Sequence, residues 1–284
     1  MKYAFITGYR DQYSIRLMCK ALRVSSSGYY AWRKRVPSRR ELRHQRLSVE
    51  IKASFKASYQ TYGAVRIADD LRDTGEVIGK NTVARIMRKY NLVPKTKRRF
   101  RRAHDAKNRT GIKNILNRNF EVEKANLCWV SDITFIPTRT GPLHLCVIID
   151  LYSRAIIGWS MSARQTSDLV VAALQMAIRH RKPKGSVLVH SDQGAQYASD
   201  QYRELLNKHG MIQSMSRKGN CWDNAVAESF FHTLKTERTS DEKYLNHNQA
   251  RQSIFDYIEI FYNRIRKHSS LNYQAPLVYE GTVS

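Results

Sequence analysis

Trp129-Val130-Ser131-Asp132-Ile133-Thr134-Phe135-Ile136 reads as a β-strand with one carboxylate at its centre. β-Branched and aromatic residues favour an extended chain. A charge inside an apolar strand needs a partner or an opening to solvent. Working outward, Leu143 to Asp150 and Ala155 to Met161 read as two further strands, with Pro142 and Ser153-Arg154 marking the turns. Ser167 to Arg179 has helical apolar spacing, Val187 to His190 is a fourth strand, and Ser199 to His209 is a helix. Met211 to Gln213 is a short strand, Asp223 to Arg238 a long helix, and Gln249 to Arg264 another.

Three antiparallel strands, then helix, strand, helix, strand and helix, is the element order of a ribonuclease-H-like α/β core. Such an order does not give an activity, so function must be argued from residues. Asp192 closes the fourth strand in His190-Ser191-Asp192-Gln193-Gly194-Ala195-Gln196-Tyr197. Glu228 lies in Asp223-Asn224-Ala225-Val226-Ala227-Glu228-Ser229-Phe230-Phe231, with mostly apolar helical neighbours. Each has a bland alternative: Asp132 an edge-strand charge, Asp192 a turn former before Gly194, Glu228 a surface helix residue. In the expected core the first and fourth strands are neighbours and the helix crosses their ends, so the three carboxylates can meet.

Convergent hard oxygens without a cysteine or histidine set select Mg²⁺ or Mn²⁺ over zinc. Two such ions, about 4 Å apart, stabilise the attacking and leaving oxygens of phosphoryl transfer. Asp150 is a lower-ranked fourth carboxylate, because Asp150-Leu151-Tyr152-Ser153 also reads as a plain turn. Lys235 follows Glu228 by two helical turns, which puts both on one face. It is either a phosphate holder beside the metals or an exposed helix lysine.

The formal net charge is +25, and its distribution is uneven. Residues 1–120 carry 30 Lys/Arg against 8 Asp/Glu, whereas residues 121–284 carry 19 against 16. A cationic front of this kind points to a polyanion. No apolar stretch is long enough to span a bilayer and no signal-peptide region opens the chain, so nucleic acid is expected rather than lipid. The four scattered cysteines form no zinc pattern and fit a reducing cytosol.

Within the front, Ser14 to Leu22 and the stretch beginning at Tyr29 read as two short helices around the turn Val24-Ser25-Ser26-Ser27-Gly28, with a capping serine. Leu47 to Phe55, Gly63 to Leu71 and Thr82 to Tyr90 read as three more, broken by Asp73-Thr74-Gly75. Asn81 is expected to cap the last, with Val83, Ile86 and Met87 inward and Arg85, Arg88 and Lys89 outward. This is a helix-turn-helix pattern with a long turn, whose last helix could enter a major groove. An ordinary three-helix packing module is the bland alternative. A basic run follows Pro94 and includes Arg98, Arg99, Arg101 and Arg102, suited to tracking phosphates between two domains or to a solvated tail.

The motifs together resemble the D-D-E transposases of the bacterial insertion-sequence-three family, specifically their second-reading-frame product. Asp192 and Glu228 are separated by that family's 35 intervening residues. Trp129 to Thr134, His190 to Gly194 with Gln196-Tyr197, and Ser216-Arg217-Lys218-Gly219-Asn220-Cys221-Trp222-Asp223-Asn224-Ala225 leading to Glu228 and Lys235 resemble its three catalytic motifs. Tyr262-Asn263, Arg266, His268-Ser269 and Pro276 resemble its tail, and Asn272 stands where the family usually has glycine. The resemblance implies a retroviral-integrase-like core in which Asp132, Asp192 and Glu228 hold the metals.

The expected layout is an N-terminal helical segment over 1–40, an all-α helix-turn-helix DNA-binding domain over 41–93, a basic linker over 94–121 and an integrase-like catalytic core over 122–284. The expected partners are double-stranded DNA, as element ends and target, and further copies of the chain on that DNA. The resemblance also implies an upstream-frame protein, or a frameshift fusion to it, since that family usually encodes its main end-recognition helix-turn-helix and coiled coil upstream, and no heptad zipper is evident here. The bacterial cytoplasm, at the nucleoid, is the expected location. The alternatives are a non-catalytic DNA-binding regulator of transposition and a ribonuclease-H-type hydrolase. The basic front and the 35-residue interval weigh against the hydrolase.

Overall fold

The computed structural model describes residues 1–95, 111–217 and 221–282. The chain divides into two compact units, Met1–Ala53 and Ser54–Ser284. In the first unit, α1 (Lys2–Gly8), α2 (Ile15–Ala21) and α3 (Ser26–Lys34) enclose Ile6, Met18, Cys19 and Tyr29. The capping serine of α3 is Ser25, whose hydroxyl accepts from the Gly28 amide at 3.3 Å. Helix α4 (Arg39–Ala57) begins eight residues before the apolar stretch at Leu47. The reason is a reciprocal capping box: the Ser38 hydroxyl accepts from the Glu41 amide at 3.2 Å, and Glu41 accepts from the Ser38 amide at 2.9 Å.

The second unit takes in α5 (Ala64–Asp73) and α6 (Lys80–Lys89), which pack through Ile67, Ala68, Leu71, Val83, Ile86 and Met87. Gly75 ends the first of these at φ +89°, a left-handed conformation that glycine adopts without steric penalty. Asn81 does not cap α6. The cap position is Gly79, so Asn81 stands inside the first turn.

The sheet is built from β1 (Cys128–Thr138), β2 (Gly141–Asp150), β3 (Ile156–Ser162), β4 (Leu188–Ser191) and β5 (Ile212–Met215) in the order β3-β2-β1-β4-β5. β1 pairs antiparallel with β2 and parallel with β4. The long central strand therefore has a partner on both sides and is largely buried. Helices α7 (Ser167–Arg181) and α8 (Asp200–Lys208) help enclose a core of Trp129, Ile148, Leu174, Val189, Tyr197 and Tyr202 with their apolar neighbours. Ser199 caps α8, accepting from the Tyr202 amide.

Gly158 sets how closely α7 approaches the sheet. A β-carbon there would lie 2.4 Å from the Ala173 carbonyl oxygen and 2.8 Å from both Cβ and N of Ala177. Two of these atoms are backbone, so the whole helix must lift. Overpacking of this kind costs about 1–3 kcal/mol. Gly158→Ala is expected to lower the urea midpoint with an unchanged m-value; an unaltered midpoint would contradict the close approach.

The expected long helix from Asp223 is not uniform. A 3₁₀ turn (Cys221–Asn224) leads into α9 (Ala225–Leu234), and a π-helical turn (Lys235–Thr239) follows. Likewise α10 (His247–Phe255) runs into a π-helical stretch over Asp256–Tyr262. The last element among the described residues is α11 (Pro276–Thr282). Among the described residues no helix is long and apolar enough to cross a membrane.

Candidate active site

The site begins with register. In the parallel pair of β1 and β4, Ser131 stands opposite Ser191. Asp132 follows on β1, and Asp192 stands one residue past the end of β4, just beyond the pairing that holds neighbouring strands about 4.8 Å apart. The third carboxylate arrives by a side-chain contact. Asn224, just before α9, donates its amide to the Ser131 carbonyl at 3.0 Å. Glu228 is one helical turn further along α9, on the same side.

The electrostatics record the convergence. The Asp132 carboxyl is pushed well above the ordinary range, first by burial and then by repulsion from Asp192, with Glu228 adding to it. The Ile133 amide, donating at 2.8 Å, and the Lys235 charge oppose the shift. Asp192 is also pushed up by burial and steadied by the Gly194 amide at 3.1 Å. Burial pulls the Lys235 ammonium down, and the Asp132 charge opposes that pull. The Lys235 Nζ stands 5.6 Å from the centre of the Phe135 ring.

The residues beneath the site are neutral and hydrogen-bonded. The Ser131 hydroxyl donates to the Val147 carbonyl at 2.9 Å and, having spent its proton, accepts from the buried Tyr197 hydroxyl at 2.9 Å. This accounts for the tyrosine in the second motif. His190 is fully buried between the Ser214 and Ser216 hydroxyls, at 2.8 and 3.1 Å. Burial lowers its imidazole to about 4, so it is neutral at pH 7. Nothing in a single chain's pattern marks His190 as buried, because the strand to which it belongs is only four residues long.

Asp223 has no exposed surface and gathers donors from Arg217, Arg118 and Asn114. Asp150 does not join the three carboxylates. It pairs across from Trp129, while Asp132 pairs across from Val147. Its oxygens accept from the Tyr152 amide at 3.0 Å, the contact of a turn, and from the Asn126 amide, 24 residues upstream, at 2.8 Å.

Arg85, Arg88 and Lys89 lie exposed on α6, away from its buried face. Arg98, Arg99, Arg101 and Arg102 lie outside the described residues. The tail residues have structural work. Asn263 bonds both the amide and the carbonyl of Ile156 at 2.9 Å, and Arg266 forms a buried pair with Glu237. Lys267 sits among Asp69, Asp70 and Asp73 at 2.6, 3.4 and 2.5 Å, and so ties α5 to the tail. Asn272 adopts φ +51°, the left-handed region that glycine and asparagine tolerate best.

The donor set fits a hard divalent cation: carboxylate oxygens only, mutually repelling, with the Asp192 side opening to solvent. Among the described residues no three His, Cys, Asp or Glu side chains already stand at metal-ligand spacing. The fit therefore rests on charge and donor chemistry.

Known proteins resemble this chain over nearly its whole length. The integrase core domain model matches residues 122–221 and again 209–276, and an HTH-like domain model matches 42–100. Transposase InsF for insertion sequence IS3A of Escherichia coli (strain K12) is 42% identical over 287 residues, covering 99% of this chain and 98% of the relative. A 31 kDa protein of insertion element IS600 from Shigella sonnei is 39% identical, covering 92% of this chain and 97% of that one. Among solved structures, the HTLV-2 integrase catalytic core domain in complex with magnesium aligns over 55% of this chain and 97% of its own, with TM-score 0.43 and 15% identity.

Proposed function

The chain belongs to the transposases of the insertion-sequence-three family, and on that premise we propose that it cuts DNA at the ends of its element and joins them to new DNA through Asp132, Asp192 and Glu228. The observation that carries the proposal is the convergence on β1: Asp192 by parallel register, Glu228 through Asn224, and the repulsion that Asp132 feels from both. Carboxylates that repel one another in a partly dry site lose that penalty when a divalent cation sits among them.

Two Mg²⁺ or Mn²⁺ ions, when bound, would supply Lewis-acid stabilisation of the attacking and leaving oxygens. The chain's own contribution is placement. Asp132 offers oxygens from β1, Asp192 from the residue that directly follows β4, and Glu228 from α9. Lys235, within electrostatic reach of Asp132, holds a DNA phosphate beside them. No side chain needs to bond covalently to DNA, since the freed 3′-hydroxyl can attack the target directly. Arg85, Arg88 and Lys89, with Arg98, Arg99, Arg101 and Arg102, bind the duplex backbone and orient it. Two element ends have to be held together, so the working form is a homo-oligomer on DNA. The upstream-frame protein, or a fusion to it, is its companion, and the bacterial nucleoid is its setting.

A strand-joining assay tests this reading. Labelled inverted-repeat ends from the DNA flanking the coding sequence are incubated with Mg²⁺ and the chain, alone and fused to the upstream frame. Wild type is expected to join them, and Glu228→Gln to bind equally well and join nothing. Joining by the variant at the wild-type rate refutes the assignment. Binding without joining by every form moves the function to a regulator that competes for element ends.

A further inference from the structure

We propose that Arg118 and Arg217, bridged by the buried carboxylate of Asp223, form a seat for a phosphodiester of the DNA strand at the carboxylate site; this rests on the reading above. Asp223 accepts five bonds. Arg217 gives it the backbone amide at 2.9 Å, Nε at 3.0 Å and Nη2 at 2.9 Å. Arg118 gives Nε at 2.8 Å and Asn114 gives its amide at 2.8 Å.

The charge balance is the first argument. Two guanidiniums share one carboxylate, so the cluster keeps one net positive charge. Asp223 is held well below the usual carboxylate range, with the Arg217 hydrogen bonds the main cause against the opposing effect of burial. It stays ionised and does not release its arginines.

Exposure is the second. Asp223 is fully buried, yet 44% of the Arg118 side chain and 50% of the Arg217 side chain remain open. Arg217 is anchored through Nε and Nη2 and Arg118 through Nε, which leaves the remaining guanidinium nitrogens for a ligand. An arginine held this way has already lost its rotamer freedom and offers a planar fork matched to phosphate oxygens. Holding Asp223 ionised needs only Arg217. The second arrives from 105 residues upstream, and its exposed edge has no structural task among the described residues.

Position is the third. Asp223 directly precedes Asn224, which holds the Ser131 carbonyl beside Asp132, and Glu228 follows one turn later. A phosphate on the two guanidiniums is therefore placed by the same helix start that places Glu228.

The test measures how binding depends on salt, using the full chain and a fluorescein-labelled duplex carrying the element's inverted-repeat end. Each phosphate contact contributes about 0.7–0.9 to the slope of log affinity against log salt. The double variant Arg118→Gln/Arg217→Gln is expected to lose about 1.5 from that slope, and to bind at least about tenfold more weakly near 0.1 M salt. Arg118→Lys/Arg217→Lys keeps both charges and restores the slope. An unchanged slope in a glutamine double variant that still melts cooperatively overturns the seat. Should that variant fail to fold, Arg118→Gln alone, which leaves the three Arg217 bonds in place, is expected to lose about 0.7–0.9, and an unchanged slope again overturns the proposal. Joining is followed on the same samples. Wild-type joining with unchanged variant slopes removes the seat and leaves the proposed function standing. Slope loss without joining by wild type, alone or fused to the upstream frame, removes the function and leaves the seat. A wild type that binds no DNA overturns both.

Discussion

Asp132→Asn is expected to abolish strand joining and, in chelator, to melt at a higher temperature than wild type. The two effects share one cause. Asp132 is driven up by burial and by the charges of Asp192 and Glu228, so its ionised form is less favourable in the folded chain than in the unfolded one. A carboxyl with a raised folded-state value destabilises the fold above that value, and the penalty is relieved as pH falls through it. Asparagine removes the charge and keeps the shape. The stabilisation of the variant over wild type is therefore largest near neutral pH and shrinks as the solution is acidified. Mg²⁺ or Mn²⁺ should reverse the order, because binding to the folded state adds about 2.7 kcal/mol at a hundredfold excess over Kd, and the variant has lost a ligand. Loss of one preorganised electrostatic contact in a transition state costs about 10²–10³-fold, and a shared metal ligand should cost at least that. Calorimetry with and without metal, across pH, together with the joining assay, checks the set. Equal melting temperatures in chelator would show that the three charges do not converge.

Arg266→Met is expected to cost about 3–5 kcal/mol of stability, although it lies in the tail and outside the catalytic motifs. The Arg266 and Glu237 side chains are 7% and 9% exposed and are joined by two hydrogen bonds of 2.8 Å. Tyr257 donates to the same carboxylate at 2.8 Å. Burial works against the Arg266 charge, and the Glu237 bonds and charge more than compensate, raising it above its ordinary value. Removing the arginine strands a buried carboxylate. Removing both charges, as Arg266→Met/Glu237→Met, should recover much of the loss, because hydrophobic replacement of a whole buried pair is often neutral. Urea unfolding of the two single variants and the double closes the cycle. A cost below about 1 kcal/mol for Arg266→Met alone would mean that the pair is solvated.

The pair also shows where sequence reading stopped. Periodicity marked one helix running on from Asp223 through Arg238, but a π-helical turn begins at Lys235. The π turn shifts which side chains face inward, and Glu237 becomes buried. Apolar spacing carries no sign of such a turn, since its buried Glu237 is stabilised by Arg266, 29 positions away. The early start of α4 was legible in principle, because Ser38 and Glu41 have capping-box spacing. The misplaced cap at Asn81 has the opposite lesson: a residue suited to capping took no cap role, and Gly79 occupied the position without a side-chain bond.

The strands, the helix order and the candidacy of Asp132, Asp192, Glu228 and Lys235 could be read along the chain, because strand alternation, helix periodicity and a carboxylate in an apolar setting are local signals. The element order also implied that the first and fourth strands are neighbours, but the contacts that fix the parts there could not be read. Asp132 and Asp192 are neighbours through strand register, Glu228 through the bond from Asn224 to Ser131, and the tail through Arg266 and Lys267. Each of these depends on hydrogen bonds and ion pairs between residues far apart in sequence, whose strength comes from a burial that exists only after the chain has folded.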